Sequence, residues 1–321
     1  MSHILVTGAL GFIGSNFVNY YIDKYADVHI TILDKKDYCS SEANICSNKP
    51  KIIIGDIGDK ELVKSILYSN QIDTIIHFAA QSHVDNSFGN SILFTESNIL
   101  GTHILLEETR SYHEKTDRIK KFIHVSTDEV YGENDEIRTE GSILNPTNPY
   151  AATKAAAEFI VMSYFYSYKL PVIITRANNV YGPNQYPEKV IPKFICNLLD
   201  EKCLPIHGTG ENKRNFIHAY DICTAYDVIL SKGVIGEIYN ISAPVNSEYS
   251  VEQIAKLVIK LIGSDLAEPI EYVADRNFND KRYYTTSKKL EGLGWEPVKT
   301  DFEANVVELI EWYRVNRGRY R

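Results

Sequence analysis

The chain has 321 residues, 44% hydrophobic and 24% charged, enough for a sizeable core and two lobes. Its formal net charge of −8 speaks against nucleic-acid and membrane-surface partners, which favour a basic face. No apolar run approaches the ~20 residues of a membrane span, and no signal-peptide pattern opens the chain, so a cytoplasmic protein is expected. The five cysteines (Cys39, Cys46, Cys196, Cys203, Cys223) form no Cys-x-x-Cys pair and no His/Cys cluster. Free thiols and no metal are therefore expected.

In chain order, residues 3–7 read as a short strand that runs into Gly8, Gly11 and Gly14, with a helix to about residue 25. Strand, glycine turn and helix start make an anion site, because bare backbone amides at a helix N-terminus point at phosphate. Three glycines alone are equally a tight structural turn. Residues 28–34 form a second strand that ends in Asp34, 20 residues after Gly14. A carboxylate there bonds the adenosine ribose of NAD and repels the extra phosphate of NADP, although Lys35 and Lys36 follow directly. Residues 51–57 give a third strand ending in Asp56 and Ile57, where the carboxylate reaches toward adenine. Asp59 is placed to cap a helix bearing Leu62, Val63, Ile66 and Leu67. Residues 73–78 are a fourth strand, followed by the small Ala79 and Ala80, which let backbone pass close to a flat cofactor. Residues 82–98 read as polar loop, and a helix is expected over about 99–112.

The fifth strand begins at Lys121 and delivers Ser126, Thr127, Asp128 and Glu129 where it should stop. Ligands of an open parallel sheet bind beyond the carboxyl ends of its strands, so a hydroxyl and two carboxylates there suit acid/base chemistry. The same residues also suit an ordinary strand-to-loop turn. Pro146 and Pro149 then break a loop, and a helix starts at about Tyr150. Residues four apart on a helix lie ~6 Å along its axis and share a face, which pairs Tyr150 with Lys154. An ammonium beside a phenol lowers the phenol's pKa, making Tyr150 a usable base. A lone Tyr-x-x-x-Lys is common by chance in a chain with 22 tyrosines; after strand five of a dinucleotide sheet it is specific. Residues 171–176 are a sixth strand. Ser250 to Gln253 is a capping box opening an apolar-faced helix, and Phe302, Val306, Leu309, Ile310 and Tyr313 mark a closing helix of core packing. Alternating strands and helices define an α/β, doubly wound, parallel Rossmann-type sheet. The expected division is 1–176, mainly dinucleotide-binding, and 177–321, mainly a smaller C-terminal α/β substrate lobe with some elements returning to the first.

Gly8, Gly11, Gly14, Asp34, Tyr150 and Lys154 together resemble the extended short-chain dehydrogenase/reductase family, which acts mostly on nucleotide sugars. Thr127, Asp128 and Glu129, running into Val130, Tyr131 and Gly132, resemble its sugar-nucleotide 4,6-dehydratases. The family's epimerases and decarboxylases usually lack the adjacent Asp-Glu pair. The resemblance covers almost the whole chain. It implies a cofactor site that also includes Phe12 and Ile13, and substrate contacts from Ser82, Asn178, Lys189, Arg214 and Asn279, with Arg214 at the diphosphate. It also implies a homodimer packed through the helix before strand five and the Tyr150 helix, whose Phe159, Ile160 and Tyr164 give an apolar face that a buried intrachain helix would share. The chemistry implied is internal NAD redox with loss of water. Tyr150 and Thr127 serve the 4-hydroxyl, Glu129 is the base at carbon 5, and Asp128 is the acid at carbon 6, the last two roles being interchangeable on sequence grounds. Residues 275–283 depart from the Arg-Pro-Gly-His-Asp of bacterial dTDP-glucose dehydratases. They are similar to the UDP-glucose dehydratase part of plant rhamnose synthases, so UDP-glucose is expected ahead of dTDP-glucose, in an early step of rhamnose formation. The competing readings are a related sugar epimerase or decarboxylase, and a non-catalytic NAD-binding protein.

Overall fold

Strands buried on both faces set the architecture. The computed structural model describes residues 2–244, 247–275 and 278–320. In chain order the strands are β1 (Ser2–Thr7), β2 (Val28–Asp34), β3 (Lys51–Ile54), β4 (Thr74–His77), β5 (Lys121–Thr127), β6 (Val172–Ala177), β7 (Asn179–Tyr181), β8 (Leu204–His207), β9 (Lys213–His218), β10 (Ile238–Ile241), β11 (Glu248–Ser250) and β12 (Ile270–Val273). Seven of them make one parallel sheet, ordered β10-β6-β5-β4-β1-β2-β3. Every residue of β4 and β6 is buried, the near-continuous apolar pattern of a parallel sheet covered by helices on both sides. The strand order reverses between β1 and β4. A crevice opens there at the carboxyl ends of the strands.

The covering helices are α1 (Phe12–Lys24), α2 (Lys60–Ser69), the short α3 (Val84–Gly89) and α4 (Ser91–Phe94), α5 (Gly101–Thr116) and α6 (Pro149–Tyr168). Asp59 caps α2 by accepting from the Leu62 amide at 3.0 Å, as its position predicts. Asn148 caps α6 through the Ala151 amide at 2.9 Å, with Pro149 in the first helical position. The polar-loop reading of residues 82–98 is corrected. This stretch folds as α3, α4 and a π-helical turn (Thr95–Leu100) that runs without a break into α5. Its helices are too short to show a 3.6-residue apolar period, and the wide turn shifts the register further.

The second lobe contributes α7 (Val190–Leu199), α8 (Ala219–Lys232), α9 (Val251–Ile262), α10 (Lys288–Glu291) and α11 (Phe302–Asn316). Its own strands form a three-stranded sheet, β11-β9-β7, and the parallel pair β12-β8. A separate core gathers Phe194, Ile254, Val258 and the buried face of α11, including Phe302, Val306, Leu309, Ile310 and Tyr313. The capping box at the start of α9 is complete in both directions, Ser250 to Gln253 and back. Three elements return to the first lobe: β10 pairs with β6, α10 packs on β10 with Leu290 in the sheet's core, and α8 lies against α1, where Asp227 accepts from Lys24 at 2.5 Å and Tyr25 at 2.8 Å.

Candidate active site

The glycine turn is shaped by contact with its neighbours. Gly8 has a φ of +69°, and a Cβ there would sit 2.5 Å from the Ala79 nitrogen. A Cβ on Gly14 would meet the Ala9 Cα at 2.7 Å. Only glycine lets the turn close against the loop after β4 and the helix lie against the turn. Gly11 stands at the N-terminus of α1, where no side chain caps the helix and no acid lies in its first turn. Uncapped amides and the positive end of the helix dipole fit a diphosphate. Asp34, at the end of β2, is 5% exposed and its carboxylate is fixed by the amides of Leu10 at 2.9 Å and Lys36 at 2.8 Å. Lys35 and Lys36 pair with Asp37 and Glu42, at 3.5 and 2.7 Å. Asp56 holds the Gly58 amide at 2.8 Å. Gly8, Gly11, Gly14, Asp34 and Asp56, with Phe12, Ile13, Ile57, Ala79 and Ala80, line one wall of a cavity of about 500 Å³.

The floor is built by β5 and α6. β5 runs two residues past the expected apolar run, to Thr127, and a single tight turn (Asp128–Tyr131) follows. Thr127 lies close enough to the Tyr150 hydroxyl to favour its phenolate, and accepts from the Glu129 amide at 3.3 Å. Lys154 donates to the Val125 carbonyl at 2.6 Å, tying the helix to the end of the strand. Burial lowers the Lys154 pKa to about 8, an effect that Glu158 opposes. The expectation that Lys154 depresses the Tyr150 phenol is not met. Burial, Glu129 and Asp128 push that phenol up, with only Thr127 opposing, while the ammonium is directed at a carbonyl oxygen.

Both carboxylates are raised. Asp128 is 3% exposed and rises to about 7, through burial first and the Glu129 charge second, against Asn178, Arg214 and Thr127. Glu129 is raised by burial, against Lys189, Arg214 and the Asn148 hydrogen bond, which is 3.2 Å long. An acid that titrates near neutrality beside a second carboxylate is the arrangement that proton transfer needs.

Ser82, Asn178, Lys189, Arg214 and Asn279 all line the same cavity. Asn178 has its amide saturated by the protein: it donates to Asp128 at 2.8 Å and Thr285 at 2.9 Å and accepts from the Ala243 amide at 3.0 Å. Its direct effect is to orient Asp128. The Lys189 ammonium donates to the Ser82 carbonyl at 2.8 Å. Arg214 lies over the Tyr283 ring, 4.6 Å from its centre, and Asn279 donates to Asp275 at 2.9 Å. Arg276 and Asn277, part of the segment on which the uridine expectation rested, lie outside the described residues.

Several residues that line or support the cavity were not anticipated. Tyr283 donates to Asp280, which also accepts from Thr147 at 2.8 and 2.9 Å, and Asp280 and Tyr283 both line the cavity. Asn98, delivered by the π-helical turn, brackets Gln81 through its amide at 2.8 Å and carbonyl at 3.0 Å and reaches Thr153 at 3.0 Å. His77 bridges Thr7 and Thr102 at 2.7 and 2.8 Å, and burial lowers its pKa to about 3, so it supports the floor as a neutral group. The glycine turn, the carboxylates and the Tyr150/Lys154 pair carried local sequence signals; most of these contacts join segments far apart in the chain.

A glycine turn at the first βα junction, a carboxylate after β2 and a Tyr/Lys pair below the crevice define a dinucleotide-binding α/β protein of the extended short-chain dehydrogenase/reductase type. Comparison narrows the class. Residues 5–309 match the GDP-mannose 4,6 dehydratase family, and the chain belongs to it. It is 49% identical over 98% of its length to the trifunctional UDP-glucose 4,6-dehydratase/3,5-epimerase/reductase RHM2 of Arabidopsis thaliana, but spans only 47% of that protein. It is 48% identical to the human dTDP-D-glucose 4,6-dehydratase, covering 98% of this chain and 90% of the human one. The crystal structure of DesIV, a dTDP-glucose 4,6-dehydratase from Streptomyces venezuelae with NAD and TYD bound, superposes with a TM-score of 0.92 at 38% identity, covering 99% and 98% of the two chains.

Proposed function

We propose that the protein is an NAD-dependent sugar-nucleotide 4,6-dehydratase that converts UDP-glucose to UDP-4-keto-6-deoxyglucose with loss of water. The observation that carries this reading is the buried Asp128–Glu129 pair beside Tyr150. An oxidoreductase or an epimerase working at carbon 4 needs the tyrosine and the cofactor groove; it has no use for two further carboxylates with raised pKa values. Bound NAD supplies the acceptor and later the donor of hydride, so the reaction has no net redox change.

The chain's own residues do the rest. Tyr150, its phenolate favoured by the nearby Thr127 hydroxyl, takes the proton of the 4-hydroxyl. The resulting 4-ketone acidifies the carbon 5 proton, and Glu129, with Lys189, Arg214 and Asn148 favouring its charged form, removes it. Asp128 carries a proton near neutral pH and delivers it to the departing 6-hydroxyl. Asn178 holds the Asp128 carboxylate in place. Arg214 offers a planar guanidinium to the diphosphate.

The buried Asp34 carboxylate supports NAD over NADP, since a 2′-phosphate would meet a charge with no room to move. NAD should bind at least about 100-fold tighter, some 2.7 kcal/mol; equal affinities in a fluorescence titration would refute this assignment. Uridine is our reading of the nucleotide, supported by the similarity of residues 278–283 to the plant form and by the plant relatives at 49% identity. Turnover of UDP-glucose should exceed that of dTDP-glucose, and a large dTDP-glucose advantage would reverse the choice. On this reading the product feeds deoxysugar (rhamnose) formation in the cytoplasm, and the exposed Phe159 and Tyr166 of α6, each 66% accessible, face a second copy in a homodimer. Tyr164, expected on that face, is instead buried within the chain and donates to Glu107 at 2.8 Å.

A further inference from the structure

The two lobes are fastened together at a point that the proton transfers do not use. The Tyr38 hydroxyl, on the loop after β2, donates to a Glu188 carboxylate oxygen at 2.7 Å. The Tyr38 ring also meets Tyr186 edge-on, with centroids 5.4 Å apart. The next residue, Lys189, donates to the Ser82 carbonyl on the loop after β4. β2 and β4 are the two neighbours of β1, so consecutive second-lobe residues grip the loops on either side of the glycine turn. Tyr38, Ser82, Tyr186, Glu188 and Lys189 all line the cavity, and Tyr38 is 48% exposed, which puts the contact at its rim.

We propose that Tyr38 and Glu188 form an interlobe clasp over the dinucleotide groove that slows cofactor release. The geometry gives the clasp a clear logic. A cofactor seated between Asp34 and the glycine turn lies beneath the loop that carries Tyr38, and that loop cannot swing outward while its tyrosine is held by the second lobe. Cofactor release then requires the lobes to part, whereas proton transfer at Asp128 and Glu129 does not. A hydrogen bond to a charged acceptor is stronger than a neutral one, and this one, at a half-exposed rim, is set to be breakable.

The inference rests on the NAD-binding reading, and one experiment separates the two. Purified protein is loaded with NADH, chased with excess NAD⁺, and the loss of bound NADH fluorescence is timed. Tyr38→Phe keeps the ring on Tyr186 and removes the hydroxyl; it should release NADH about tenfold faster, as should Glu188→Gln. The double variant should release no faster than either single one, because both remove the same bond. Release rates equal to wild type, or single effects that multiply in the double variant, would overturn the clasp. Melting temperatures of the cofactor-free proteins should agree, and a large drop in the variants would assign the effect to folding and likewise overturn it. Wild-type protein that binds no NADH would instead overturn the cofactor reading itself.

Discussion

Replacing Asp128 by Asn and Glu129 by Gln together should lower dehydration by at least about 10³-fold while NAD still binds, a loss in the range that positioned acid–base groups supply. The two amides keep the shape of the turn and remove both proton carriers. Single-turnover oxidation at carbon 4, seen as a rise in bound NADH absorbance, should persist because Tyr150 and Thr127 are untouched. Full retained turnover would remove the carboxylates from the mechanism. A pH profile adds a directional check. Burial and the neighbouring Glu129 raise Asp128 to about 7, so its acid form is lost as pH rises through that value, and kcat should fall on the alkaline side. The linkage has a second consequence. A carboxyl that keeps its proton in the folded state but loses it at about 4 when unfolded destabilises the fold as pH rises from about 4 toward 7, and this penalty is fully present above that range. Asp128→Asn should therefore raise Tm at pH 8 by a few degrees and change it little at pH 4.

Tyr150→Phe should remove the oxidation step, with a loss of about 10²–10⁴-fold and no accumulation of bound NADH. The reason lies in how strongly the site resists forming the phenolate. Burial and two carboxylates push the phenol up, and in this structure Lys154 does not offset them. Tyr150 thus depends on Thr127 and on the charge that the bound cofactor brings. Thr127→Val should consequently reproduce part of the loss, by about 10-fold or more, and shift the alkaline dependence of the oxidation step upward, since the hydroxyl favours the phenolate. A Tyr150→Phe variant that oxidises substrate at the wild-type rate would place the base elsewhere.

The fold was legible wherever the signal was local. Gly8, Gly11 and Gly14 mark a turn whose spacing reflects steric contact, and Asp34 stands at a fixed distance down the chain. The caps at Asp59 and Ser250 could be read because a cap is satisfied within a few residues of itself. Residues 82–98 were misread because helices of six and four residues are too short to carry an apolar stripe. The same limit hid Asn98, which a π-helical turn rotates inward, and the Asp280–Tyr283 pair, more than 150 residues from Glu129, whose charge it influences. The Tyr150–Lys154 spacing correctly placed both side chains at the floor, yet the ammonium's partner, the Val125 carbonyl, belongs to a strand 29 residues earlier. Sequence spacing gives the face of a helix; the direction of a flexible four-carbon side chain depends on what that face meets.

The central claim is loss of water at carbons 5 and 6, and product mass tests it most directly. The protein, supplied with NAD, is incubated with UDP-glucose in deuterium oxide and the nucleotide sugar is analysed by mass spectrometry. The account predicts a product lighter than the substrate by one water, carrying one deuterium at carbon 5. A product of unchanged mass, differing only in configuration at carbon 4, would contradict it and make the protein an epimerase.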